Sequence, residues 1–478
     1  MAAAATTSRA PSHKNLRKTG DGRPGAIRTY RNALAYLNTL FNLECVTGPR
    51  RAKIQPSLGN TQKLLAAFGN PHKKLCVVHV AGTKGKGSTC AMLASMLQAN
   101  KLRVGVYTSP HLTDLRERIR INNHLISETE FTRLIVRIAQ AAGKVVRNGA
   151  ITYFEALTVA ALLYFAEQEV DVVILETGLG GRLDSTNVVP RPAVCAITAI
   201  SYDHTDILGS TLAAIAEEKA GIFKPGVTAI SVPQVPEVKR VLKKVAERVG
   251  ATLLFAGDDL EFSYRFERSR ATGPHTRVSV ITPTGRYEHL AVPLPGEHQA
   301  VNCGLALGLL DALKGHGFKI DEEAAVSGLA NVRLEGRMEI ICEEPRVMVD
   351  GAHNAASIEA LMRAIGQNVP YDSMVVIFGC NADKDVDGML RHIQLGADKI
   401  IFTRSNSPRA VDPHELATRF AEVSGRMAQV EPDLAAAVRT AAKPITREDL
   451  LCITGSFYLV GEAKKLFTDK DYVQQLLR

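Results

Sequence analysis

The residues of this chain best suited to chemistry form the segment Gly82-Thr-Lys-Gly-Lys-Gly-Ser88, which follows an apolar run. Its glycines allow positive φ angles and close backbone approach to a ligand, and free N–H groups at a helix start attract an anion. Lys86 adds a positive charge. The segment departs from the template G-x-x-x-x-G-K-[ST], because Val80 replaces the first glycine and Gly87 follows the lysine. The pattern predicts a phosphate-binding turn between a strand and a helix, and a glycine-rich turn without a ligand is the alternative.

Three further polar residues, Ser109, Glu176 and His204, each fall at or just past the end of an apolar run. The carboxyl ends of parallel strands meet at one edge of a sheet, where ligands bind. The hydroxyl beside a phosphate-loop lysine normally holds Mg²⁺, and here Ser88 comes one residue late. We therefore expect another side chain to bind the metal. Together these groups could surround a nucleoside triphosphate and its Mg²⁺.

Each candidate has a structural alternative. Glu176 could be a helix-capping acid, and His204 could be a polar turn residue. Lys219 is by default a cation favoured at a helix C-terminus that Gly221 ends. The segment Asp350-Gly-Ala-His-Asn354 could be a strand-to-helix turn with an Asx cap. The convergence of the candidates on strand ends favours the site over these alternatives.

The elements that must position these residues alternate between helix and strand. Helices are predicted over 28–43, 61–68, 154–167, 211–220 and 299–313, and strands over 103–107, 171–176, 193–200 and 227–232. Residues 259–293 alternate in the manner of antiparallel strands, and periodicity lapses at 331–337. Strands follow at 346–350, 374–378, 399–402 and 450–453. The alternation predicts an α/β protein with a parallel sheet covered on both faces and a second α/β domain of about five strands.

Composition describes an ordinary globular protein, with 46% hydrophobic and 22% charged residues among 478. The net charge is +9, of which residues 1–30 supply +5, so the rest gives no nucleic-acid footprint. That basic, nearly acid-free N-terminus resembles an organelle transit peptide, with a plain disordered tail as the alternative. No apolar run reaches the length of a membrane span. The eight scattered cysteines predict reduced thiols rather than a disulfide framework or a zinc site.

Seven motifs carry a resemblance to a known family, in order along the chain. They are Gly82-Thr-Lys-Gly-Lys-Gly-Ser88, Thr108-Ser-Pro-His-Leu112, Glu176-Thr-Gly-Leu-Gly-Gly-Arg-Leu-Asp-Ser-Thr-Asn187, Asp203-His204, Glu218-Lys-Ala-Gly-Ile222, His298-Gln-Ala-Val-Asn302 and Asp350-Gly-Ala-His-Asn354. The chain resembles the folylpolyglutamate synthase and dihydrofolate synthase family, relatives of the Mur ligases. The resemblance implies an N-terminal P-loop ATPase domain at 30–333 after a tail at 1–29. It also implies a smaller, Rossmann-like glutamate-ligase domain at 334–478.

The same resemblance assigns roles residue by residue. It implies ATP and two Mg²⁺ ions as cofactors. From composition we expect no nucleic acid or membrane partner, and we also expect a monomer. The residues that the resemblance assigns to ATP binding are Gly85, Lys86, Gly87, Ser88, Asn302, Arg337 and Asp350. One Mg²⁺ falls to Ser109 and Glu176, and a second to His204. Lys219 matches the lysine that the family carbamylates, and Lys86, Lys219 and His353 are the catalytic set.

The acceptor substrate depends on two further stretches, which we call the acceptor segments. They consist of Thr152, Tyr153, Phe154 and Glu155, and of Leu183, Asp184 and Ser185. Both resemble the dihydropteroate site of bacterial bifunctional enzymes, and Leu183 stands where polyglutamate-only enzymes usually have Tyr. One departure is that the family's Asp-Leu-Gly segment appears as Ser57-Leu-Gly59, which removes a carboxylate from the pterin side.

The resemblance therefore favours a dihydrofolate synthase, which joins L-glutamate to 7,8-dihydropteroate with ATP. The runner-up is folylpolyglutamate synthase acting on tetrahydrofolate, alone or as a second activity. A nucleotide-binding regulator without catalysis is disfavoured because Lys86, Glu176, His204 and Lys219 are all present. A Mur-type cell-wall ligase is disfavoured by Gly87 and the acceptor segments. A mitochondrial location follows from the basic N-terminus, with the cytoplasm as the alternative.

Overall fold

The computed structural model describes residues 27–45, 57–147, 150–269, 273–292 and 295–476. The predicted N-terminal tail therefore lies almost entirely outside the described residues. None of the helices in the described ranges is long and apolar enough to cross a membrane. The seven cysteines that these ranges cover in full are unpaired thiols, in agreement with the prediction for that part of the chain.

The larger sheet has eight strands in the order β4-β3-β2-β5-β1-β6-β7-β8. Its central strand β1 is Val77-Val-His-Val-Ala81, and all five residues are buried, as a strand covered on both faces requires. The predicted parallel sheet is present, but β3 and β4 add an antiparallel edge that was not predicted. The strands are β1 (Val77–Ala81), β2 (Val104–Tyr107), β3 (Ile119–Ile121), β4 (His124–Leu125), β5 (Val172–Glu176), β6 (Val194–Ile197), β7 (Thr228–Ser231) and β8 (Thr252–Phe255).

Helices pack on both faces of this sheet. One face is covered mainly by helices from the first 167 residues, whose apolar side chains form one core with β1 and β5. The helices up to β8 are α1 (Tyr30–Thr39), α2 (Gly59–Ala67), α3 (Lys86–Ala99), α4 (Glu128–Val145), α5 (Tyr153–Glu167), α6 (Thr205–Leu208), α7 (Leu212–Ala220) and α8 (Pro236–Val249). Short 3-10 helices span Leu43–Cys45, Pro71–Lys74, Leu115–Arg118 and Ser185–Val188.

A three-stranded antiparallel sheet follows, as the alternation at 259–293 predicts. Its order is β11-β10-β9, with β9 (Glu261–Ser269), β10 (Gly273–Ile281) and β11 (Arg286–Val292). The next helices are α9 (Glu297–Lys314) and α10 (Glu322–Ala330). Buried residues of α9 share a core with α3 and the middle strands of the large sheet, so α9 is fixed beside the glycine-rich turn.

The third sheet has six strands in the order β12-β13-β17-β14-β15-β16, against the predicted five or so. The antiparallel edge strand β12 and the two-residue strand β16 were not predicted. Its strands are β12 (Glu339–Cys342), β13 (Val347–Asp350), β14 (Met374–Phe378), β15 (Lys399–Phe402), β16 (Gln429–Val430) and β17 (Leu450–Thr454). The helices are α11 (Ala355–Asn368), α12 (Val386–Ile393), α13 (Pro413–Ser424), α14 (Leu434–Ala442), α15 (Phe457–Thr468) and α16 (Lys470–Leu476).

The first predicted helix, 28–43, is too long at both ends. Thr29 caps α1, because its side chain accepts a hydrogen bond from the Asn32 N–H. The helix ends because Leu40 is extended, with φ −76° and ψ 152°. Phe41 then forms a parallel bridge with Thr152, so the chain after α1 is fixed against the first acceptor segment.

Candidate active site

The glycine-rich turn connects β1 to α3 as predicted. Gly85 precedes the helix with φ 87°, a left-handed conformation that disfavours other residues. A Cβ at Gly85 would also lie 2.2 Å from Asn302 Oδ1, so only glycine fits between the turn and α9. Lys86, Gly87 and Ser88 form the first turn of α3, whose N–H groups have no partner within the helix. This arrangement can bind an anion.

Two lysines converge on one backbone oxygen of the turn. Lys86 Nζ donates to Gly82 O at 3.1 Å, and Lys219 Nζ donates to the same oxygen at 2.7 Å. Lys219 is only 5% exposed, so it is not the solvated helix-end cation of the default interpretation. Burial, and next the positive charge of Lys86, lower the pKa of Lys219 to about 7. A substantial fraction of Lys219 is therefore a neutral amine near neutral pH.

Glu176 ends β5 beside the lysine and is 4% exposed. Its Oε2 accepts from the backbone N–H of Ser109 at 3.1 Å, and its Oε1 lies 4.0 Å from Lys86 Nζ. A Cβ at Gly87 would lie 3.7 Å from Glu176 Oε2, so the carboxylate faces the space where the usual hydroxyl would extend. Burial raises the pKa of Glu176, and Lys86 and the Ser109 N–H oppose that rise.

Asp203 links the two halves of the molecule. Its Oδ1 accepts from Lys384 Nζ at 2.8 Å, and its Oδ2 lies 3.9 Å from His353 Nε2. His204 Nε2 lies 4.0 Å away from the same carboxylate. Burial would raise the pKa of Asp203, but His353, His204 and Lys384 outweigh it and hold the pKa well below its usual range. Asp203 is therefore ionised, and it connects the strand-end residues of the larger sheet to the second domain.

The second domain contributes Arg337, Asp350 and His353. Asp350 ends β13 and accepts from the N–H groups of Met338 at 2.9 Å and Ala352 at 2.8 Å. Burial raises its pKa, and the positive charge of Arg337 opposes the change. The Arg337 guanidinium lies 4.5 Å from the ring centroid of Phe457. The Asx cap considered for this turn is also present, because the Asn354 side chain accepts from the Ser357 N–H.

The acceptor segments meet the cleft through only some of their polar atoms. Thr152 and Glu155 form a capping box for α5, so the Glu155 carboxylate accepts from the Thr152 N–H at 2.7 Å. Asp184 accepts from the N–H groups of Gly178 and Leu179, and from both the N–H and the hydroxyl of Thr186. These two carboxylates therefore shape the backbone around the site.

One acceptor-segment residue, Tyr153, is not placed as predicted. Its ring lies 5.6 Å from the guanidinium of Arg118, and its side chain is buried away from the cleft. The reason is helical geometry, because the side chains of consecutive residues at the start of α5 point in different directions. Phe154, the next residue, does face the cleft and packs so closely on Gly178 that a Cβ there would lie 2.5 Å from its ring.

The remaining predicted residues all line one cleft of about 880 Å³ between the large sheet and the second domain. They are Gly85, Lys86, Gly87, Ser88, Ser109, Thr152, Phe154, Glu155, Glu176, Leu183, Asp184, Ser185, His204, Lys219, Asn302, Arg337, Asp350 and His353. Other charged residues outside the predicted set also line the cleft, among them Asp203, Lys84, Lys384 and Arg409. The sequence could have indicated two of these residues. Asp203 is adjacent to the predicted site residue His204, and Lys384 follows the carboxyl end of strand β14.

Comparison with known proteins gives the class first. Residues 80–310 match the Mur ligase middle domain, and residues 336–457 match the glutamate ligase domain of Mur ligases. The chain is thus an ATP-dependent ligase of the Mur type.

Relatives narrow the class. The chain is 35% identical over 424 residues to a dihydrofolate synthase/folylpolyglutamate synthase of Bacillus subtilis, covering 88% of this chain and 97% of that one. It is 30% identical over 440 residues to dihydrofolate synthetase of Saccharomyces cerevisiae, covering 86% and 98%. The solved structure of E. coli FolC in complex with DHPP and ADP superposes with a TM-score of 0.80 at 31% identity, covering 94% and 99%. The chain belongs to the dihydrofolate synthase/folylpolyglutamate synthase family, and its activity is that of a folate–glutamate ligase.

Proposed function

We propose that this ligase is a dihydrofolate synthase, which forms the amide between 7,8-dihydropteroate and L-glutamate at the expense of ATP. The observation that carries the proposal is that two sets of residues line the same cleft. They are the glycine-rich turn, where the phosphates of ATP would bind, and the acceptor segments, where dihydropteroate would bind. Phe154 and Leu183 supply apolar surface for a flat ring, and Leu183 stands where polyglutamate-only enzymes usually have Tyr.

The reaction proceeds in two steps. The carboxylate of dihydropteroate attacks the γ-phosphorus of ATP, so that ADP leaves and an acyl phosphate forms. The amine of glutamate then attacks the acyl carbon, and inorganic phosphate leaves with the bonding electrons. Lys86 and the N–H groups of the first turn of α3 bind the phosphates and stabilise charge on the transferring group. Asn302, Arg337 and Asp350 hold the remainder of ATP.

Magnesium fits the residues present. Glu176 offers buried carboxylate oxygens toward the space that Gly87 leaves open, and Ser109 adds a hydroxyl. No group of three or more His, Cys, Asp or Glu forms a metal site within the described ranges, so phosphate and water would complete the shell, as is usual for Mg²⁺. His204 would hold a second ion, together with Lys219 once that lysine is carbamylated. When bound, Mg²⁺ would neutralise charge on the phosphates.

Lys219 is suited to carbamylation because CO₂ reacts with a neutral amine, and burial lowers the pKa of this lysine to about 7. The carbamate would turn a cation into an anionic oxygen ligand beside the turn. His353 belongs to the second domain, and its Nε2 lies 3.9 Å from Asp203 Oδ2 of the larger domain. We therefore expect domain closure to bring His353 together with the other catalytic residues.

The test of substrate choice is direct. Purified protein receives ATP, Mg²⁺ and glutamate with either dihydropteroate or tetrahydrofolate, and ADP release is measured. We expect release with dihydropteroate, and release with tetrahydrofolate alone would overturn the proposal in favour of folylpolyglutamate synthase.

The phosphate-binding residues have their own test. Lys86→Ala or Glu176→Ala should abolish ADP release without loss of secondary structure, whereas Lys244→Ala, at an exposed position of α8, should behave as wild type. Near-normal turnover by either site variant would contradict the assignment.

We also propose a mitochondrial location, on the basis of the basic residues 1–30, and separately that the protein is a monomer. A fluorescent fusion that stays in the cytosol would contradict the location, and light scattering at twice the mass of 51.7 kDa would contradict the monomer.

A further inference from the structure

A further carboxylate, that of Glu44, lines the cleft close to the acceptor segments. Its segment is fixed there, because Phe41 O accepts from the Tyr153 N–H at 2.9 Å and Phe41 bridges Thr152. The Glu44 N–H donates to Asn42 Oδ1 at 2.9 Å. Glu44 is 74 residues away in sequence from the arginine that contacts it, and it belongs to no motif of the family resemblance.

Arg118 orients this carboxylate. Its Nη1 and Nη2 donate to Glu44 Oε1 and Oε2 at 2.8 and 2.7 Å, a bidentate pair of charge-assisted bonds. Arg118 itself is fully buried, and its Nε donates to His111 Nδ1 at 3.0 Å. Tyr153 packs against its guanidinium. The arginine is thus held on several sides and keeps Glu44 in one position.

Glu44 retains accessible oxygen lone pairs, because its side chain is 30% exposed and each oxygen has only one of these partners. Burial alone would raise its pKa, but the charge and hydrogen bonds of Arg118 outweigh burial and hold the pKa below its usual value. Glu44 is therefore an anion that can only accept hydrogen bonds at neutral pH.

Two other carboxylates near this wall of the cleft, those of Glu155 and Asp184, are buried, whereas the side chain of Glu44 is 30% exposed. Glu155 caps α5, and Asp184 accepts four hydrogen bonds from its own loop. Ser57 stands at the position where the family pattern has Asp. Its side chain is uncharged, and its hydroxyl oxygen accepts a hydrogen bond from the Gly59 N–H. Glu44 is thus the most exposed of these three carboxylates, and the one that this wall presents to a ligand with an N–H donor.

We propose that Glu44 recognises the amino-pyrimidine edge of the pterin ring, with Arg118 as its positioning residue. This inference rests on the proposed function, since a pterin must be the acceptor. A 2-amino-pyrimidinone presents an exocyclic amine at this edge. Because Arg118 occupies the forked face of the carboxylate, Glu44 accepts from that amine through an outer lone pair of one oxygen. The carboxylate absent at residue 57 is therefore supplied from residue 44.

The experiment compares Glu44→Gln with wild type, using ADP release at varied dihydropteroate. We expect KM for dihydropteroate to rise about tenfold or more, because a charge-assisted hydrogen bond is lost, with kcat within about twofold. With an analogue that lacks the 2-amino group, wild type and variant should differ by less than about threefold. Glu128→Gln is the matched control, since Glu128 pairs with Arg116 of the same short helix but does not line the cleft.

Two results overturn the inference. One is a KM within about threefold of wild type, and the other is an equal loss with dihydropteroate and the analogue. The second result would assign Glu44 to attraction of Arg409, the nearby cation of the second domain. If Glu44→Gln is insoluble because Arg118 loses its partner, Glu44→Asp keeps the charge, shortens the side chain and meets the same criteria. A wild type that releases no ADP with dihydropteroate would refute the proposed function instead.

Discussion

Replacing Lys219 by methionine should stabilise this protein while it abolishes activity. Methionine has a similar length but no charge, so the variant removes the cost that wild type pays when a lysine that is protonated in the unfolded chain loses its proton on burial. The pKa of Lys219 falls from its ordinary 10.5 to about 7 in the folded protein. The unfolded chain binds one more proton than the folded protein between these values, so wild-type stability rises with pH across this window.

The magnitude follows from linkage. Each pH unit below 10.5 costs the folded wild type about 1.4 kcal/mol until the cost levels off below pH 7. At pH 8 the cost is about 3 kcal/mol, an upper limit because Lys219 borders the cleft. The variant also loses the hydrogen bond from Lys219 to Gly82 O, which lowers its stability by about 1 kcal/mol. We expect Lys219→Met to be about 2 kcal/mol more stable at pH 8, and the gain to vanish near pH 10.

The assay is urea unfolding followed by far-UV circular dichroism at pH 8 and pH 10, because the chain has no tryptophan to report by fluorescence. Buffers must be free of bicarbonate, so that no carbamate forms on the wild-type lysine. Lys244→Met, at an exposed position of α8, is the control and should show no gain that depends on pH. A Lys219→Met variant less stable than wild type at pH 8, or equally shifted at both pH values, would refute the reasoning.

Two further predictions concern the turn and the domain link. Gly85→Ala should weaken nucleotide binding by at least about tenfold in a calorimetric titration, because its Cβ would lie 2.2 Å from Asn302 Oδ1 at φ 87°. Gly143→Ala is the control, because an added Cβ meets nothing within 4 Å and the residue does not line the cleft; it should bind as wild type does, and equal behaviour of the two variants would contradict the steric argument. Asp203→Asn should lower kcat by about tenfold or more, because Lys384 loses a buried ionic partner. The stabilisation by Asp203 is present above the ordinary carboxyl pKa of 3.8 and is lost as pH falls below it, because the pKa is depressed in the folded protein. The free energy of unfolding of Asp203→Asn should therefore fall less than that of wild type as pH is lowered below 3.8.

The sequence predicted local features well where a single segment defines them. The turn after β1 follows from three glycines and a lysine, and Glu176 follows from an apolar run that ends in an acid. The signal for α4 is also local, since Ser127 caps it and Phe131 and Leu134 recur at helical spacing, although the helix was not among those predicted.

Contacts between distant segments were beyond reach. Lys219 has the pattern of a solvated helix-end cation, and its burial depends on Gly82, 137 residues away. The ion pair between Asp203 and Lys384 spans 181 residues and joins two domains. Short edge strands such as β4 were missed because two residues carry no periodicity. In each case the tertiary packing, and not the local pattern, decides the outcome.

The oxygen of Gly82 accepts from both Lys86 and Lys219, and this sharing makes the two lysines thermodynamically reciprocal. Each ammonium group disfavours the charge of the other, so an anion that draws Lys86 away from this oxygen makes a proton on Lys219 less costly. Reciprocity then requires that a proton on Lys219 strengthen the binding of that anion by the same factor. The protonation of Lys219 is therefore a property of what the glycine-rich turn holds as well as of burial.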